Sequence, residues 1–364
     1  MMSEVMSVQK LLIYRFGQIG DTVASLPALW LLRESFPQAE FTLLSEVPQN
    51  RTALSPDLVL PQRTLIQRYL HYQGGASIQN LISHLWMAFR LRQEKHDVVA
   101  YLLPSIRSSK QRKRDALFFK LAGIRRSVGF AGFPTDAFPR HADGSLVTVP
   151  HEADALLYRL AQNGLPVVPP GKGRMDLDLT KEEQDHAKTW WCLQGRQEQD
   201  SQRWFAVCSG TKWSSKQWPA ERYAEVGRLL IEKHGLLPVV FGGKEDRELG
   251  MHLISNWGVG LCAAGELSVR ESAALLRQAR FYLGNDTGVM HLAAAVGTPC
   301  VAIFSALDWP GRWHPYGEGH RVLRHEVACS GCMSSICAHA HECLLGVSVG
   351  SVLAACESVI NKAE

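Results

Sequence analysis

The stretch that decides the fold of the first half is Leu11-Leu-Ile-Tyr-Arg-Phe-Gly-Gln-Ile-Gly-Asp21. Its apolar beginning, residues 11–16, is typical of a short buried strand, and residues 17–21 predict a turn that opens a helix. Apolar residues at helical spacing follow over residues 22–36, and Phe41-Thr-Leu-Leu44 is typical of the next strand. A strand, a helix and a strand in this order predict a parallel, doubly wound α/β sheet.

A second series of strands and helices lies in the second half of the chain. Strands are predicted at Trp204–Cys208 and Cys300–Phe304, and the polar residues 194–202 are typical of a linker or an exposed loop. A chain of 364 residues is long enough for two domains at ~150 residues each. We therefore predict domains at residues 1–178 and 179–364 that face each other across a cleft at the carboxyl ends of their strands.

Composition limits the class of protein. Hydrophobic residues make up 46% and charged residues 20%, which is ordinary for a globular protein. No apolar run reaches the ~20 residues that span a bilayer. The N-terminus lacks the regions of a signal peptide, so we expect a cytoplasmic protein. The nine cysteines are an odd number and five are scattered singly, which argues against a secreted disulfide framework.

The first candidate site is a strand that runs into a helix at Gly284-Asn-Asp-Thr-Gly-Val-Met-His291. The N–H groups at a helix start bind anionic oxygens. Asp286 and Thr287 are also common N-capping residues, so a purely structural helix cap is the alternative. Small residues such as Gly288 at the start of this helix allow a ligand to approach closely, and they favour a nucleotide site with His291 nearby.

Two further loops follow predicted strands. The loop Ser209-Gly-Thr-Lys-Trp-Ser-Ser-Lys-Gln-Trp-Pro219 offers hydroxyls, a glycine and two lysines, which suit a diphosphate although the P-loop pattern is absent. The loop Gly242-Gly-Lys-Glu245 combines close backbone approach with an acid that can accept hydrogen bonds from ribose hydroxyls. A basic surface loop and an acid that complements a helix dipole are the structural alternatives.

The turn after the first strand carries Asp21. Its sequence, Gly17-Gln-Ile-Gly20, lacks the glycine fingerprint of dinucleotide-binding domains, which disfavours a dehydrogenase. A carboxylate at this position is a candidate general base for an acceptor hydroxyl. The alternative is that Asp21 only caps the following helix, where the helix N-terminus would make it a weaker base.

Positive charge is concentrated between residues 107 and 126, where Asp115 is the only acid. The cluster begins with Arg107, Lys110, Arg112, Lys113 and Arg114 and continues with Lys120, Arg125 and Arg126. A solvated helix face is one interpretation, and a patch that meets an anionic substrate or a membrane surface is the other. Nucleic acid is not expected, because no aromatic-interleaved basic motif accompanies the cluster.

Four cysteines lie close together near the C-terminus. Their spacing is Cys329-x2-Cys332-x4-Cys337-x5-Cys343. Four such thiols indicate a structural zinc or iron ion, with His339 and His341 as alternative ligands, although the spacing is tighter than in the usual zinc sites. A Cys-x-x-Cys redox pair is a further alternative. Asp176-Leu-Asp178 resembles a metal-binding Asp-x-Asp motif, but its alternating pattern indicates outward-facing polar residues.

Taken together, these motifs resemble glycosyltransferase family 9, the ADP-heptose:lipopolysaccharide heptosyltransferases. The resemblance covers nearly the whole chain and is carried by residues 15–21 with Pro27, by Lys216-Gln-Trp-Pro219, by Gly242-Gly-Lys-Glu245 and by residues 286–299. It implies the GT-B fold, with two Rossmann-like domains around a cleft. The cysteine cluster is a departure from this pattern.

The resemblance also implies an activity. Heptose would pass from ADP-heptose, with inversion, to an anionic lipid-linked saccharide of the lipopolysaccharide inner core, with peripheral contact to the inner membrane and no metal required. The implied roles are the catalytic base for Asp21, the diphosphate site for Lys216 and Thr211, the ribose contact for Glu245, the donor site for Asp286, Thr287, Gly288 and His291, and the acceptor site for the basic cluster. Another saccharide or protein acceptor, or a non-catalytic nucleotide-binding relative, remains the alternative.

Overall fold

A computed structural model of the chain describes residues 8–47, 55–73, 78–197, 200 and 203–362. The chain divides into two compact units. Unit 1 contains Met1–Phe138 and Pro150–Asp178, and unit 2 contains Pro139–Val149 and Leu179–Glu364.

Unit 1 is built on a five-stranded parallel sheet with the strand order β3-β2-β1-β4-β5. The strands are β1 (Lys10–Tyr14), β2 (Glu40–Val47), β3 (Arg68–Gln73), β4 (Val98–Tyr101) and β5 (Arg126–Val128). The central strand β1 has no exposed surface at Leu11, Leu12 and Ile13, as expected for a strand covered on both faces. The predicted parallel sheet is therefore confirmed in this unit.

The helices of unit 1 lie between and after these strands. They are α1 (Ile19–Ala24), α2 (Leu26–Ser35), α3 (Ile78–Glu94), α4 (Ser109–Leu121) and α5 (Glu152–Ala161). The single helix predicted over residues 22–36 is in fact two helices that meet at Ser25. Pro27 explains the break, because proline has no N–H to continue the hydrogen bonding of the preceding turn.

Unit 2 is built on a six-stranded parallel sheet with the strand order β11-β10-β9-β6-β7-β8. The strands are β6 (Trp204–Cys208), β7 (Leu237–Val240), β8 (Leu261–Cys262), β9 (Tyr282–Asn285), β10 (Cys300–Phe304) and β11 (Arg321–Arg324). The helices are α6 (Lys181–Leu193), α7 (Ala220–His234), α8 (Arg247–Trp257), α9 (Val269–Leu276), α10 (Gly288–Ala295), α11 (Glu342–Leu345) and α12 (Val349–Ile360).

The short segment Pro139–Val149 belongs to unit 2, whereas the predicted division assigns it to the first domain. Val149 N donates to Pro310 O at 2.9 Å, and Trp309 Nε1 donates to Pro139 O at 2.6 Å. These bonds join residues more than a hundred positions apart in the chain. Local sequence patterns carry no information about them.

Both sheets have the strand order of a Rossmann fold, in which the first strand lies at the centre. The direction of winding reverses between β1 and β4 in unit 1 and between β6 and β9 in unit 2. Ligands of such sheets bind at the carboxyl ends of the strands, beside this reversal. In the described part of the chain, no helix is both long enough and apolar enough to cross a bilayer.

Candidate donor and acceptor sites

In unit 2, Lys216 and Asp286 meet at the reversal point of the sheet. Lys216 lies in the short 3-10 turn Ser214–Lys216 after β6, and Asp286 directly follows β9. Lys216 Nζ is 2.5 Å from Asp286 Oδ2, and the two side chains are 20% and 10% exposed. The pair therefore places one cation where this fold binds its ligands.

The carboxylate of Asp286 does not act as a helix cap. Helix α10 begins at Gly288, and its N-cap residue is Thr287. Asp286 instead faces Lys216 on one side and lies 3.8 Å from His291 Nε2 through its Oδ1 atom. The first-turn amides of α10 have no carbonyl partner within the helix, as in every α-helix, so they suit an anionic oxygen.

Asn285 is a buried residue at this site and is not among the residues predicted from the sequence. Its Oδ1 atom accepts hydrogen bonds from Trp218 N at 3.1 Å and from the Tyr223 hydroxyl at 2.9 Å. Its Nδ2 atom donates to Ser209 O at 2.9 Å. One side chain therefore fixes both ends of the loop that carries Lys216. The sequence feature that could have identified Asn285 is an amide residue at the end of an apolar strand.

The loop after β7 packs against the loop after β6. Asp246 Oδ2 accepts a hydrogen bond from Gly243 N at 2.8 Å. A Cβ atom at Gly210 would lie 1.9 Å from Asp246 Oδ1, so any larger residue there would displace the Asp246 carboxylate. Burial raises the pKa of Asp246 above its usual range, and the neighbouring Glu245 adds to the effect.

Three of the residues predicted to bind the sugar donor are more exposed or have longer hydrogen bonds than Lys216 and Asp286. Glu245 is exposed in the 3-10 turn Lys244–Asp246, beyond the next strand of the sheet. Thr211 is half-buried, and its hydroxyl accepts a bond from Trp213 N at 3.4 Å. The Thr287 hydroxyl lies 3.4 Å from the Tyr282 hydroxyl. Glu245 and Thr211 thus follow neighbouring strands β7 and β6, on the same edge of the sheet as Asp286.

Cys208 lies beneath this site and is not a nucleophile. Its thiol is buried, and Thr287 Oγ1 donates to its Sγ atom at 3.7 Å. Burial raises the pKa of the thiol to about 12. Since the thiolate is the reactive form, Cys208 is chemically inert at neutral pH.

In unit 1, Asp21 follows β1 and therefore also lies at a reversal point. Its Oδ2 atom accepts a hydrogen bond from Gln18 N at 2.9 Å, so part of the carboxylate does cap the start of α1. Its other oxygen, Oδ1, is 3.6 Å from Nη2 of the fully buried Arg15, and the side chain remains 23% exposed. A Cβ atom at Gly17 would lie 2.6 Å from Asp21 Cβ, which explains this glycine.

The basic cluster is divided by the structure into two parts. Asp115 is buried and accepts hydrogen bonds at 2.8 Å from Arg107 Nη2 and from Arg114 Nη2, so these two arginines are paired. Lys110 and Lys113 are exposed. Arg112 is half-buried and its guanidinium lies 4.2 Å from the centre of the Phe133 ring. Among the described residues, Lys110, Arg112, Lys113, Lys120 and Arg125 take no part in the ion pairs of Asp115.

The four cysteines Cys329, Cys332, Cys337 and Cys343 line one cavity of about 80 Å³ in unit 2. The backbone N–H groups of His339 and His341 donate to Cys337 Sγ at 3.4 and 3.3 Å. In the part of the chain described by the structure, however, no three Cys, His, Asp or Glu side chains stand close enough to hold a metal ion. Thiols are a suitable type of ligand for a metal ion. In the described residues, however, their sulfur atoms lie too far apart to share one.

The cysteine segment is also bonded to the loop that carries Lys216. Ser215 Oγ donates to Ser334 O at 2.6 Å, and Ser215 N donates to Ser335 O at 3.3 Å. His341 Nε2 lies 3.0 Å from Ser214 O. The segment therefore supports the 3-10 turn that presents Lys216.

Known proteins resemble this chain in sequence. Residues 161–341 match the model of glycosyltransferase family 9 (heptosyltransferase). Lipopolysaccharide heptosyltransferase 2 of Escherichia coli K12 is 31% identical over 126 residues, which are 33% of this chain and 36% of that protein. The match thus spans about a third of that curated relative. The core heptosyltransferase OpsX of Haemophilus influenzae is 22% identical over 332 residues, covering 86% of this chain and 84% of that protein.

Solved structures resemble it over its whole length. A family 9 glycosyl transferase from Veillonella parvula has a TM-score of 0.74 at 20% identity and covers 99% of both chains. The Escherichia coli heptosyltransferase WaaC with ADP-2-deoxy-2-fluoro heptose has a TM-score of 0.63 at 17% identity, covering 98% of this chain and 100% of that chain. These likenesses confirm the predicted GT-B fold with its two Rossmann-like sheets. By the sequence match of residues 161–341, the chain belongs to glycosyltransferase family 9.

Proposed function

We propose that the protein is an inverting glycosyltransferase that transfers heptose from ADP-heptose to a lipopolysaccharide inner-core acceptor. The observation that carries the proposal is the Lys216–Asp286 pair at the reversal point of the unit 2 sheet, beside the start of α10. Relatives named lipopolysaccharide heptosyltransferases support the choice of reaction. A structural neighbour that contains ADP-2-deoxy-2-fluoro heptose supports the choice of donor.

On the donor side, the residues of unit 2 stabilise the leaving group. When the bond between the anomeric carbon and the diphosphate breaks, negative charge grows on ADP. Lys216 supplies a positive charge, and the first-turn amides of α10 supply directed donors, which together lower the energy of the transition state. Asp286 holds Lys216 in position before the reaction, so little reorganisation is needed. Glu245 and Thr211 contact the ribose and the diphosphate in this proposal.

On the acceptor side, Asp21 is the proposed general base. The acceptor hydroxyl attacks the anomeric carbon, its proton passes to Asp21, and ADP departs from the opposite face of the sugar, which inverts the anomeric centre. Asp21 Oδ1 is the oxygen available for the proton, because Oδ2 accepts from Gln18 N. No step requires a metal ion. Lys110, Arg112 and Lys113 would bind phosphates of an anionic acceptor.

The experiment that tests this proposal is product analysis. Purified protein is incubated with ADP-heptose and a lipid A–inner core acceptor, and the products are analysed by mass spectrometry. We expect a mass increase of one heptose on the acceptor and an equal amount of ADP, both strongly reduced with Asp21→Asn. Release of ADP without a glycosylated acceptor would contradict the proposed acceptor. The absence of both products would contradict the activity.

We propose separately that Cys329, Cys332, Cys337 and Cys343 hold a structural zinc or iron ion, which would require the four thiols to move closer together than they lie here. Soft thiolates are suitable ligands for both metals. Because the cysteine segment is bonded to Ser214 and Ser215, such an ion would stiffen the turn that presents Lys216 without entering the reaction. Elemental analysis should find one ion per chain, lost in Cys332→Ser with Cys343→Ser. A wild-type protein without bound metal, or a variant that melts at the same temperature as the metal-loaded wild type, would contradict this role.

A further inference from the structure

Helix α3 carries large apolar side chains on its outer face. Ile82, Leu85, Trp86 and Phe89 are each between 55% and 64% exposed. Their spacing of three, four and seven residues places them on one side of the helix. The opposite side carries Met87 and Leu91, which are buried in the core of unit 1. Contiguous apolar surface of this kind marks an interaction site rather than chance exposure.

The apolar surface continues onto the neighbouring helix α4. Leu117 and Leu121 are 56% and 64% exposed. The helices are joined at two levels, since Arg92 Nη1 donates to Leu121 O at 3.3 Å and the rings of His84 and Phe118 are 6.4 Å apart. We call the six exposed residues the apolar stripe: Ile82, Leu85, Trp86, Phe89, Leu117 and Leu121.

Lysines surround the apolar stripe. Lys110, Lys113 and Lys120 are exposed on α4, and the helical period places them beside Leu117. The acid of this helix, Asp115, is buried and bonded by arginines, so it adds no negative charge to the surface. On α3, Glu94 is bonded to Arg68 and Arg90. The face therefore combines apolar side chains with a net positive charge.

We propose that this face docks the protein on an anionic lipid bilayer. The apolar stripe would enter the boundary between headgroups and acyl chains, and the lysines would lie at the level of the lipid phosphates. A second copy of the chain fits less well, because a two-fold contact through this face would bring like charges together. A bilayer with anionic headgroups supplies an apolar layer and negative charge at once. This docking does not depend on the proposed transfer activity.

Vesicle flotation without donor or acceptor tests the docking. The full-length protein should float with vesicles of phosphatidylcholine and phosphatidylglycerol, more weakly at raised salt, and hardly with phosphatidylcholine alone. Leu85→Ser with Phe89→Ser should weaken binding about ten-fold or more, since each loses apolar burial in the boundary region. Lys113→Ala with Lys120→Ala should weaken binding roughly thirty-fold, because each lost charge reduces the binding free energy by ~1 kcal/mol. The matched control is Leu193→Ser with Met251→Ser, two exposed apolar residues of unit 2.

The substituted side chains are exposed, so thermal melting should show all variants folded. Equal flotation of wild type and the Leu85/Phe89 variant would overturn the proposal. Equal binding to vesicles with and without phosphatidylglycerol would also overturn it. Gel filtration adds a second decisive readout. A wild-type oligomer that the Leu85/Phe89 variant converts to a monomer would identify the face as a contact between copies and would also overturn the proposal.

Discussion

Lys216 Nζ lies 2.5 Å from Asp286 Oδ2, although the two residues are separated by seventy positions in the chain. They follow β6 and β9, the adjacent strands between which the winding of the unit 2 sheet reverses. The contact fixes a long, flexible lysine before any ligand arrives. Preorganised charge of this kind contributes more to catalysis than charge that must be oriented during the reaction.

The first prediction concerns Lys216→Ala. We expect kcat to fall roughly a hundred- to a thousand-fold, as for removal of a group that stabilises a developing anion. The measurement is ADP release under saturating acceptor. Lys233→Ala, an exposed lysine on α7, is the matched control and should retain full activity. A Lys216→Ala enzyme with wild-type kcat would remove Lys216 from the mechanism.

The second prediction separates the two roles of Asp21. Asparagine keeps an oxygen that accepts from Gln18 N, so Asp21→Asn should keep the start of α1 intact and melt near the wild type. It cannot take a proton, and we expect turnover to fall by about a hundred-fold or more. Binding of ADP-heptose, measured by calorimetry, should be unchanged. Normal turnover in this variant would show that Asp21 is only a cap.

The third prediction concerns Asn285, which joins Ser209, Trp218 and Tyr223. In Asn285→Leu these three groups lose a buried partner. Each group left unpaired should lower the free energy of unfolding by about 1–3 kcal/mol. Thermal melting should therefore show a large loss of stability. Tyr223→Phe removes one of these bonds and should cost only ~1 kcal/mol. If Asn285→Leu melted like the wild type, the role of Asn285 in fixing the Lys216 loop would be wrong.

The fourth prediction uses the half-buried Asp246. Burial raises its pKa in the folded protein, so the folded state holds this proton more tightly than the unfolded chain does. This tighter proton binding stabilises the folded state at low pH. The stabilisation is lost as the pH rises from the pKa of Asp246 in the unfolded chain through its pKa in the folded protein. Asp246→Asn should therefore be more stable than the wild type at pH 7, and the difference should shrink in acid. Denaturant titrations at both pH values measure it. A variant less stable at neutral pH would contradict this sign.

The sequence predicts much of the site because its motifs are local. The segment around Asp286 and Gly288 joins a strand to a helix within a few residues, and its position after β9 is confirmed. The partner of Asp286 is not predictable, since Lys216 reaches it through the strand order of the sheet. The same limit applies to Asn285, whose three partners lie in other segments, and to residues 139–149, which pair with residues of unit 2.

The helices show a second limit. The longest helix of unit 1 is α3, over Ile78–Glu94. Apolar residues occur on both sides of this helix, so periodicity alone does not tell which side faces the core. Only the packing of Met87 and Leu91 into unit 1 shows that Leu85 and Phe89 point outward.

The central claim is that unit 2 holds an ADP-sugar through Lys216. The most direct measurement is a thermal-shift screen of the wild-type protein and Lys216→Ala with ADP-heptose, UDP-sugars and GDP-sugars. A ligand that binds only the folded protein raises the melting temperature increasingly as its concentration exceeds the dissociation constant. We predict that ADP-heptose stabilises the wild type, and Lys216→Ala much less. Stabilisation by UDP-sugars only, or equal stabilisation of both proteins by ADP-heptose, would contradict the claim.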